Sequence, residues 1–206
     1  MSSPPTTRER ARVAEPAPAA GPGRPSYTSP LRQAGYAAVL TALAFIQSTG
    51  LMVADTKFDL LTDPGRFLAR GTRLWDPHQA FGQLPDQSWG YAWPMGPFYW
   101  LGKAAHLPPW VIQRLWWALL LCLAFFGMLR LLQRLGLGTD VTRVAAAFAF
   151  VLTPRITTLI GVVSVEIWPI ALAPWVLLPL VRGTESGSVR RAAARGAPSP
   201  SPARAA

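Results

Sequence analysis

The acidic residues that directly follow a long uncharged stretch are the first candidates for chemistry. Asp55, Lys57 and Asp59 stand where this stretch ends. Two carboxylates four residues apart share one face of a helix and repel each other, so the pair is better suited to a metal, a cation or a sugar. Burial at the mouth of a membrane span raises a carboxylate pKa toward the range of a general base. Asp55 is therefore the candidate base and Asp59 the second candidate, unless these acids serve only topology or solubility.

The remaining polar candidates are dispersed along the chain. Lys57 and nearby arginines could offset the charge of a phosphate. Glu166 is a lone acid near the end of an apolar segment, which favours a functional role, and the alternative is a local ion pair with Arg155. His78 and His106 lie far apart and have no Cys or Glu at ligand spacing, so the sequence predicts no metal site at these histidines.

The elements that must position these residues are predicted to be membrane helices. Half of the residues are hydrophobic and only 15% are charged, whereas about a quarter are charged in soluble proteins. A helix of about 20 residues spans the hydrocarbon core. The sequence therefore predicts an all-α integral membrane bundle with about four transmembrane helices. The predicted spans are Gly35–Ala54, Trp110–Leu132, Val141–Ile160 and Val165–Val181, of which the third is bent by Pro154.

The segment between the first two spans, residues 55–109, holds five of the ten acidic residues. Within it, "PGRFLARGTRLW" and "WPMGPFYWLGKAAHL" predict short interfacial helices, because Trp and Tyr favour the headgroup level. Arg114, near the end of the second span, is expected to extend to water. The later turn "RLGLGTD" predicts a helix stop and no nucleotide loop. We expect three regions: a disordered basic tail (1–34), a membrane domain (35–185) and a low-complexity tail (186–206).

The basic residues predict the orientation of the chain. The formal net charge is +10, and most arginines fall in the tails and in the turn after the second span. Because cytoplasmic loops are rich in Lys and Arg, we expect a multi-pass protein of the cell membrane with both termini cytoplasmic and the acidic loop outward. No recognition helix or basic-aromatic platform is found, so the predicted partners are membrane lipids and no nucleic acid.

Four stretches resemble a known family. They are "FIQSTGLMVADTKFDLLTDPGRFLAR", "FGQLPDQSWGYAWPMGPF", "PPWVIQRLWWALLL" and "SVEIWPIALAPWVLLPLVRG". They are similar to the N-terminal part of the actinobacterial α-(1→3)-arabinofuranosyltransferases, which are polytopic membrane enzymes of the GT-C class. The resemblance covers roughly residues 36–185 and implies a partial GT-C-like helix bundle.

The resemblance also implies a reaction. Family members transfer arabinofuranose from a polyprenyl-phosphate donor to cell-wall arabinan, and an acid in the first outward loop serves the acceptor hydroxyl. In this sequence Asp55 occupies the position of that acid, and Asp59 is the second candidate. Lys57, Arg66 and Arg155 would then stabilise the lipid phosphate; assistance by a divalent cation is left open.

Two alternatives to a complete enzyme remain. Family members are far longer, so we expect a truncated or frameshifted N-terminal fragment that is inactive alone. The first alternative is accordingly a non-catalytic membrane fragment or scaffold. A transporter-like bundle is the second, suggested by the Pro-interrupted helices, but the sequence has no internal repeat to favour it.

Overall fold

The computed structural model describes residues 29–46, 48–53, 55, 57–71, 73, 75, 82 and 89–185. Within these residues the regular structure is helical, which confirms the predicted all-α class at this level. The helices, in chain order, are α1 Pro30–Ala44, α2 Phe58–Thr62, α3 Pro64–Gly71, α4 Trp89–Ala92, α5 Met95–Ala104, α6 Pro109–Arg134, α7 Asp140–Val151, α8 Pro154–Leu159 and α9 Ile167–Glu185, with a 3-10 helix at Ser164–Glu166. The described residues do not include 1–28, 186–206 or His78. Of the two predicted tails, the structure therefore describes residues 29–34 alone, and residues 30–34 belong to α1.

Helix α6 is the centre of the bundle. It contacts α1, α5, α7 and α9. Pro109 is at its N-terminal end, where a missing N–H costs nothing, and Gly136 and Gly138 follow its end with φ of 67° and 68°. Only glycine adopts such angles freely, so the predicted helix stop is confirmed, and α6 includes all residues of the second predicted span.

Helix α9 packs closely on α6 through a glycine. A Cβ at Gly127 would stand 2.5 Å from Nε1 of Trp175, which leaves room for no larger residue without movement. The same Nε1 donates a hydrogen bond of 2.9 Å to the carbonyl oxygen of Leu123. The Trp175 indole therefore satisfies its polar atom while it fills the space above Gly127.

The predicted helix over residues 35–54 is wrong at both ends. Helix α1 begins at Pro30 and ends at Ala44. Its 15 residues reach only about 22 Å, which is less than the hydrocarbon core. The apolar residues that follow α1 leave the helix because they bind elsewhere: the backbone of Val53 is hydrogen-bonded to the side chain of Gln113.

The third and fourth predicted spans have different outcomes. The third is divided into α7 and α8, and Pro154 is the first residue of α8, as expected for a residue that cannot continue a helix. The fourth corresponds to α9, which is a continuous helix although Pro174 and Pro179 lie inside it. In the described part of the chain, two helical segments are long and apolar enough to cross a membrane, Pro109–Arg134 and Ser164–Gly183.

Four short helices cover the end of the bundle where α6 begins. Helix α3 starts at Pro64, as predicted, and α5 includes most of the second predicted interfacial segment. Helix α5 packs on α3 and on α6. The end of α1 and the start of α9 lie at this same end of α6, since the rings of Phe45 and Trp110 are 6.2 Å apart and those of Trp116 and Trp168 are 5.7 Å apart. The predicted acidic loop is therefore attached to the first turns of α6.

Candidate active site

Asp55 is buried at this end of the molecule. Only 2% of its surface is exposed, and its φ is 41°, a left-handed conformation that Asp tolerates better than most residues. Helix α2 begins at Phe58, so Asp55 and Asp59 do not share a helix face. Asp55 instead lies in a turn between α1 and α2, in the loop that the sequence singled out.

The Asp55 carboxylate is held by one distant residue, Ser164. The Ser164 N–H donates to Oδ1 at 2.6 Å, and the Ser164 hydroxyl donates to Oδ2. Nε1 of Trp116 donates to the same Ser164 Oγ at 3.0 Å. A continuous chain of hydrogen bonds thus leads from α6 through the start of the 3-10 helix to the carboxylate.

The segment before Asp55 is fixed by two polar side chains of α6. Gln113, which is fully buried, accepts from the Val53 N–H at 3.0 Å and donates to the Val53 carbonyl oxygen at 2.7 Å. Arg114 donates to the carbonyl oxygen of Leu51 at 3.4 Å, and its guanidinium lies 4.3 Å from the ring centroid of Trp117. Two consecutive residues of α6 therefore set the path of the chain into the site.

The structure contradicts the prediction that the Arg114 side chain extends to water. Only 2% of it is exposed, and its Nη1 is buried without a hydrogen-bond partner, as is the hydroxyl of Tyr99 on α5. The expectation was wrong because α5 and the segment after α1 cover the start of α6. Arg130, near the other end of α6, is exposed and lies over the Trp175 ring.

Burial dominates the electrostatics of the site. It raises the pKa of the Asp55 carboxyl above its usual value, and the two hydrogen bonds from Ser164 oppose this rise. Burial also raises the pKa of the Tyr99 hydroxyl, and the charge of Asp55 nearby raises it further. A carboxyl with a raised pKa accepts a proton more readily, so Asp55 has the property that a general base requires.

The structure does not bring the second acid to Asp55. Asp59 forms an ion pair with Arg70 of α3, and both side chains are partly exposed. Lys57, two residues after Asp55, has its amino group 6.0 Å from the ring centroid of Tyr91. Asp59 is thus engaged in a contact between α2 and α3.

The remaining predicted site residues are exposed. Glu166 pairs with Arg155 at 3.4 Å, and both side chains are more than half exposed, which confirms the local ion pair that the sequence left open. The backbone N–H of Arg66 donates a hydrogen bond of 3.4 Å to Oδ1 of Asp63, and the Arg66 side chain is exposed. Among the residues that the structure describes, no three His, Cys, Asp or Glu side chains come together as metal ligands.

Sequence reasoning missed Ser164, Gln113 and Trp116. The available signal was weak: Gln113 and Arg114 are polar residues at the start of an otherwise apolar helix, and such residues tend to face the interior of a bundle. Nothing in the sequence links Ser164 to Asp55, which is 109 residues away.

A helical bundle with membrane-length apolar helices and a buried acid at one end is the class of protein that this fold defines. Comparison with known proteins gives the family. Residues 39–199 match the profile described as "Alpha-(1->3)-arabinofuranosyltransferase, N-terminal GT-C domain". The chain therefore belongs to this family of glycosyltransferases, and the resemblance that the sequence motifs indicated is confirmed.

Relatives and solved structures agree with this membership. The chain is 49% identical over 161 residues to the Alpha-(1->3)-arabinofuranosyltransferase of Mycobacterium tuberculosis, covering 77% of this chain. It is 48% identical over 164 residues to the Mycolicibacterium smegmatis protein of the same name, covering 78% of this chain. A cryo-EM structure of a mutant of the arabinofuranosyltransferase AftD from mycobacteria matches with a TM-score of 0.73 at 47% identity, over 76% of this chain and 13% of that one. The chain spans 12% of the length of either relative.

Proposed function

We propose that this chain forms the base-containing part of an arabinofuranosyltransferase that takes the sugar from a polyprenyl-phosphate donor and transfers it to arabinan. Family membership supports the reaction class, and the buried Asp55 carboxylate supports the assignment of the base. Its place after the first helix matches the acid that the family resemblance implies. Asp59 is the weaker candidate because it is paired with Arg70.

In the proposed reaction, the acceptor hydroxyl oxygen attacks the anomeric carbon while the bond from that carbon to the phosphate oxygen breaks. Asp55 accepts the hydroxyl proton, and the lipid phosphate leaves with the bonding electrons. Each carboxylate oxygen has two lone pairs, so both retain an acceptor position beyond the bond from Ser164. Because only 2% of Asp55 is exposed, the acceptor must displace neighbouring groups to reach it.

The departing phosphate needs positive charge near the reacting carbon. Lys57, Arg66 and Arg155 are the candidates from the sequence, and Lys57 is nearest to Asp55 along the chain. Arg114 is added by the structure: its buried Nη1 has no partner and can bind an anionic oxygen. A buried charge without an anionic partner is costly, so an incoming phosphate would be stabilised there.

No step is assigned to a divalent cation. Such ions prefer about six or more oxygen ligands, and the described residues bring no acidic cluster to Asp55. Asp55 could offer one free lone pair at each oxygen, and the described residues supply no further acidic ligands. This is fewer than a hard cation prefers.

The proposed orientation places the Asp55 end of the bundle outside the cell and the turn after α6 in the cytoplasm, with residues 35–185 as the membrane domain. The arginine-rich turn and tails support it. In whole cells, a membrane-impermeant thiol reagent should label a cysteine placed at the exposed Asp63 but not one placed at Gly136. Labelling of the second position alone would reverse the orientation.

The experiment for the proposed function uses a chimera. Residues 39–199 of this chain replace the matching segment of the Mycolicibacterium smegmatis relative, and arabinofuranose transfer from a polyprenyl-phosphate donor is measured. An active parental chimera is expected. The change Asp55→Asn should lower turnover by about 100-fold or more, in line with the contribution of a general base.

The matched control is Asp63→Asn, in the same loop. Asp63 is exposed and paired with Lys103 at 3.2 Å, so its loss should leave transfer unchanged. An inactive parental chimera counts against the transferase function of this segment. Full turnover in Asp55→Asn removes Asp55 from the role of base.

A further inference from the structure

Ser164 uses both of its hydrogen-bond donors on the same carboxylate. Its N–H reaches Oδ1 of Asp55 and its hydroxyl reaches Oδ2, and Ser164 is itself fully buried. Two parallel bonds from one residue fix the plane of a carboxylate as well as its position. The orientation of the Asp55 carboxylate is therefore set by the start of the 3-10 helix.

Trp116 determines the direction in which the Ser164 hydroxyl points. A serine hydroxyl has one proton to donate and can rotate freely. Because Oγ accepts the Nε1–H of Trp116 at 3.0 Å, the hydroxyl proton is directed to its other neighbours. These are the Asp55 carboxylate and the thioether sulfur of Met95 at 4.0 Å, which is the weaker acceptor. The indole cannot turn away easily: Trp116 is 1% exposed and stacks on Trp168 with centroids 5.7 Å apart.

We propose that Ser164, oriented by Trp116, is the positioning residue that aims the Asp55 carboxylate at the acceptor hydroxyl. This inference rests on the proposed transferase function and adds to it a residue that acts through Asp55 and touches no substrate. Ser164 has a second consequence for the site. Hydrogen bonds to a carboxylate favour its ionised form, which is the form that can accept a proton, whereas burial favours the neutral form.

Among the residues that the structure describes, few charged or titratable groups lie around Asp55. Tyr99 faces Asp55 from α5. The charges of both Asp55 and Arg114 of α6 shift the pKa of its hydroxyl. Lys57 follows along the chain, and Glu166 lies two residues after Ser164, paired with Arg155. None of these groups is altered by a substitution at residue 164, so a change in the Asp55 titration can be assigned to the lost hydrogen bond.

The first test measures the ionisation of Asp55 in the full chain in detergent micelles. Aspartate is labelled with 13C at the carboxyl carbon, the resonance of Asp55 is assigned by its loss in Asp55→Asn, and its midpoint is followed by NMR against pH. Ser164→Ala should raise the midpoint by about one pH unit, which is a tenfold change in the ionisation constant. Ser164→Thr keeps the hydroxyl and should restore the parental midpoint.

Two further variants separate positioning from general disturbance. Trp116→Phe keeps an aromatic ring but removes the N–H, so the Ser164 hydroxyl can rotate and the midpoint should move in the same direction by less. Thr158→Ala removes a hydroxyl that bonds only within its own helix, to the Pro154 carbonyl oxygen at 2.6 Å, and should leave the midpoint unchanged. Equal midpoints in the parental chain and in Ser164→Ala overturn the proposal.

The second test measures transfer in the chimera. Ser164→Ala should lower kcat about tenfold with little change in KM, and should move the ascending limb of the pH profile to higher pH; Ser164→Thr should recover both. Unchanged kcat and pH profile in Ser164→Ala overturn the positioning role. If instead Asp55→Asn retains full turnover while the NMR midpoint still moves in Ser164→Ala, the hydrogen bond is real and the proposed function is what fails.

Discussion

The substitution Gln113→Leu tests the attachment of the site segment to α6. Leu has a volume close to that of Gln, so it should leave little cavity. It removes both hydrogen bonds to Val53, of 3.0 and 2.7 Å, and leaves a backbone N–H and a backbone carbonyl without their partner. Each polar group left unsatisfied in the interior costs about 1–3 kcal/mol. For the two groups together, we therefore expect Gln113→Leu to destabilise the chain by about 2–6 kcal/mol.

Two measurements check this expectation. Mixed-micelle denaturation followed by circular dichroism gives the free energy of unfolding, and hydrogen exchange gives the protection of the Val53 amide. If opening of the segment becomes easier by about 2 kcal/mol, this amide should exchange about 30-fold faster, since about 1.4 kcal/mol is a factor of ten. The control is Gln133→Leu, at the other end of α6. A Val53 amide that stays protected in Gln113→Leu would refute the reasoning.

The remaining predictions concern other residues of α6. In thermal melts, Gly127→Ala should destabilise the chain by about 1–3 kcal/mol through overpacking, because a Cβ there would lie 2.5 Å from Nε1 of Trp175 on α9. The control is Gly35→Ala in α1, where a Cβ would meet nothing within 4 Å. This change should be neutral or stabilising in the same melts. In the chimera, Arg114→Gln should raise the KM for the polyprenyl-phosphate donor, whereas the exposed Arg130→Gln should not. An equal KM in both variants would exclude Arg114 from phosphate binding.

The sequence predicted those elements whose local signals and packing agree. Helix α6 follows from a long apolar run that begins at a proline and ends before two glycines, and α3 follows from Pro64. The end of α1 could not be predicted in this way. Its apolar composition continues well beyond Ala44, but Val53 bonds a residue 60 positions later. Such a tertiary contact is absent from any local pattern.

The site was predictable only in part for the same reason. The loop and Asp55 could be chosen because a charged segment directly after an apolar run is unusual. The partner of the carboxylate could not be predicted, because Ser164 is 109 positions away and a single serine at the start of a short 3-10 helix carries no signal of its own. Arg114 shows the opposite error: a general rule about arginine near helix ends gave the wrong exposure, since α5 covers that end.

The geometry of α6 explains how two distant segments meet at one carboxylate. Residues three and four apart on a helix lie on the same face, and Gln113, Trp116 and Trp117 have that spacing. Gln113 binds the segment that leads to Asp55, and Trp116 binds Ser164. One face of α6 therefore sets the distance between the acid and its hydrogen-bond donor. A change that rotates or shifts the first turns of α6 should disturb both attachments together, whereas a change in α2 or α3 should leave the pair of Asp55 and Ser164 intact.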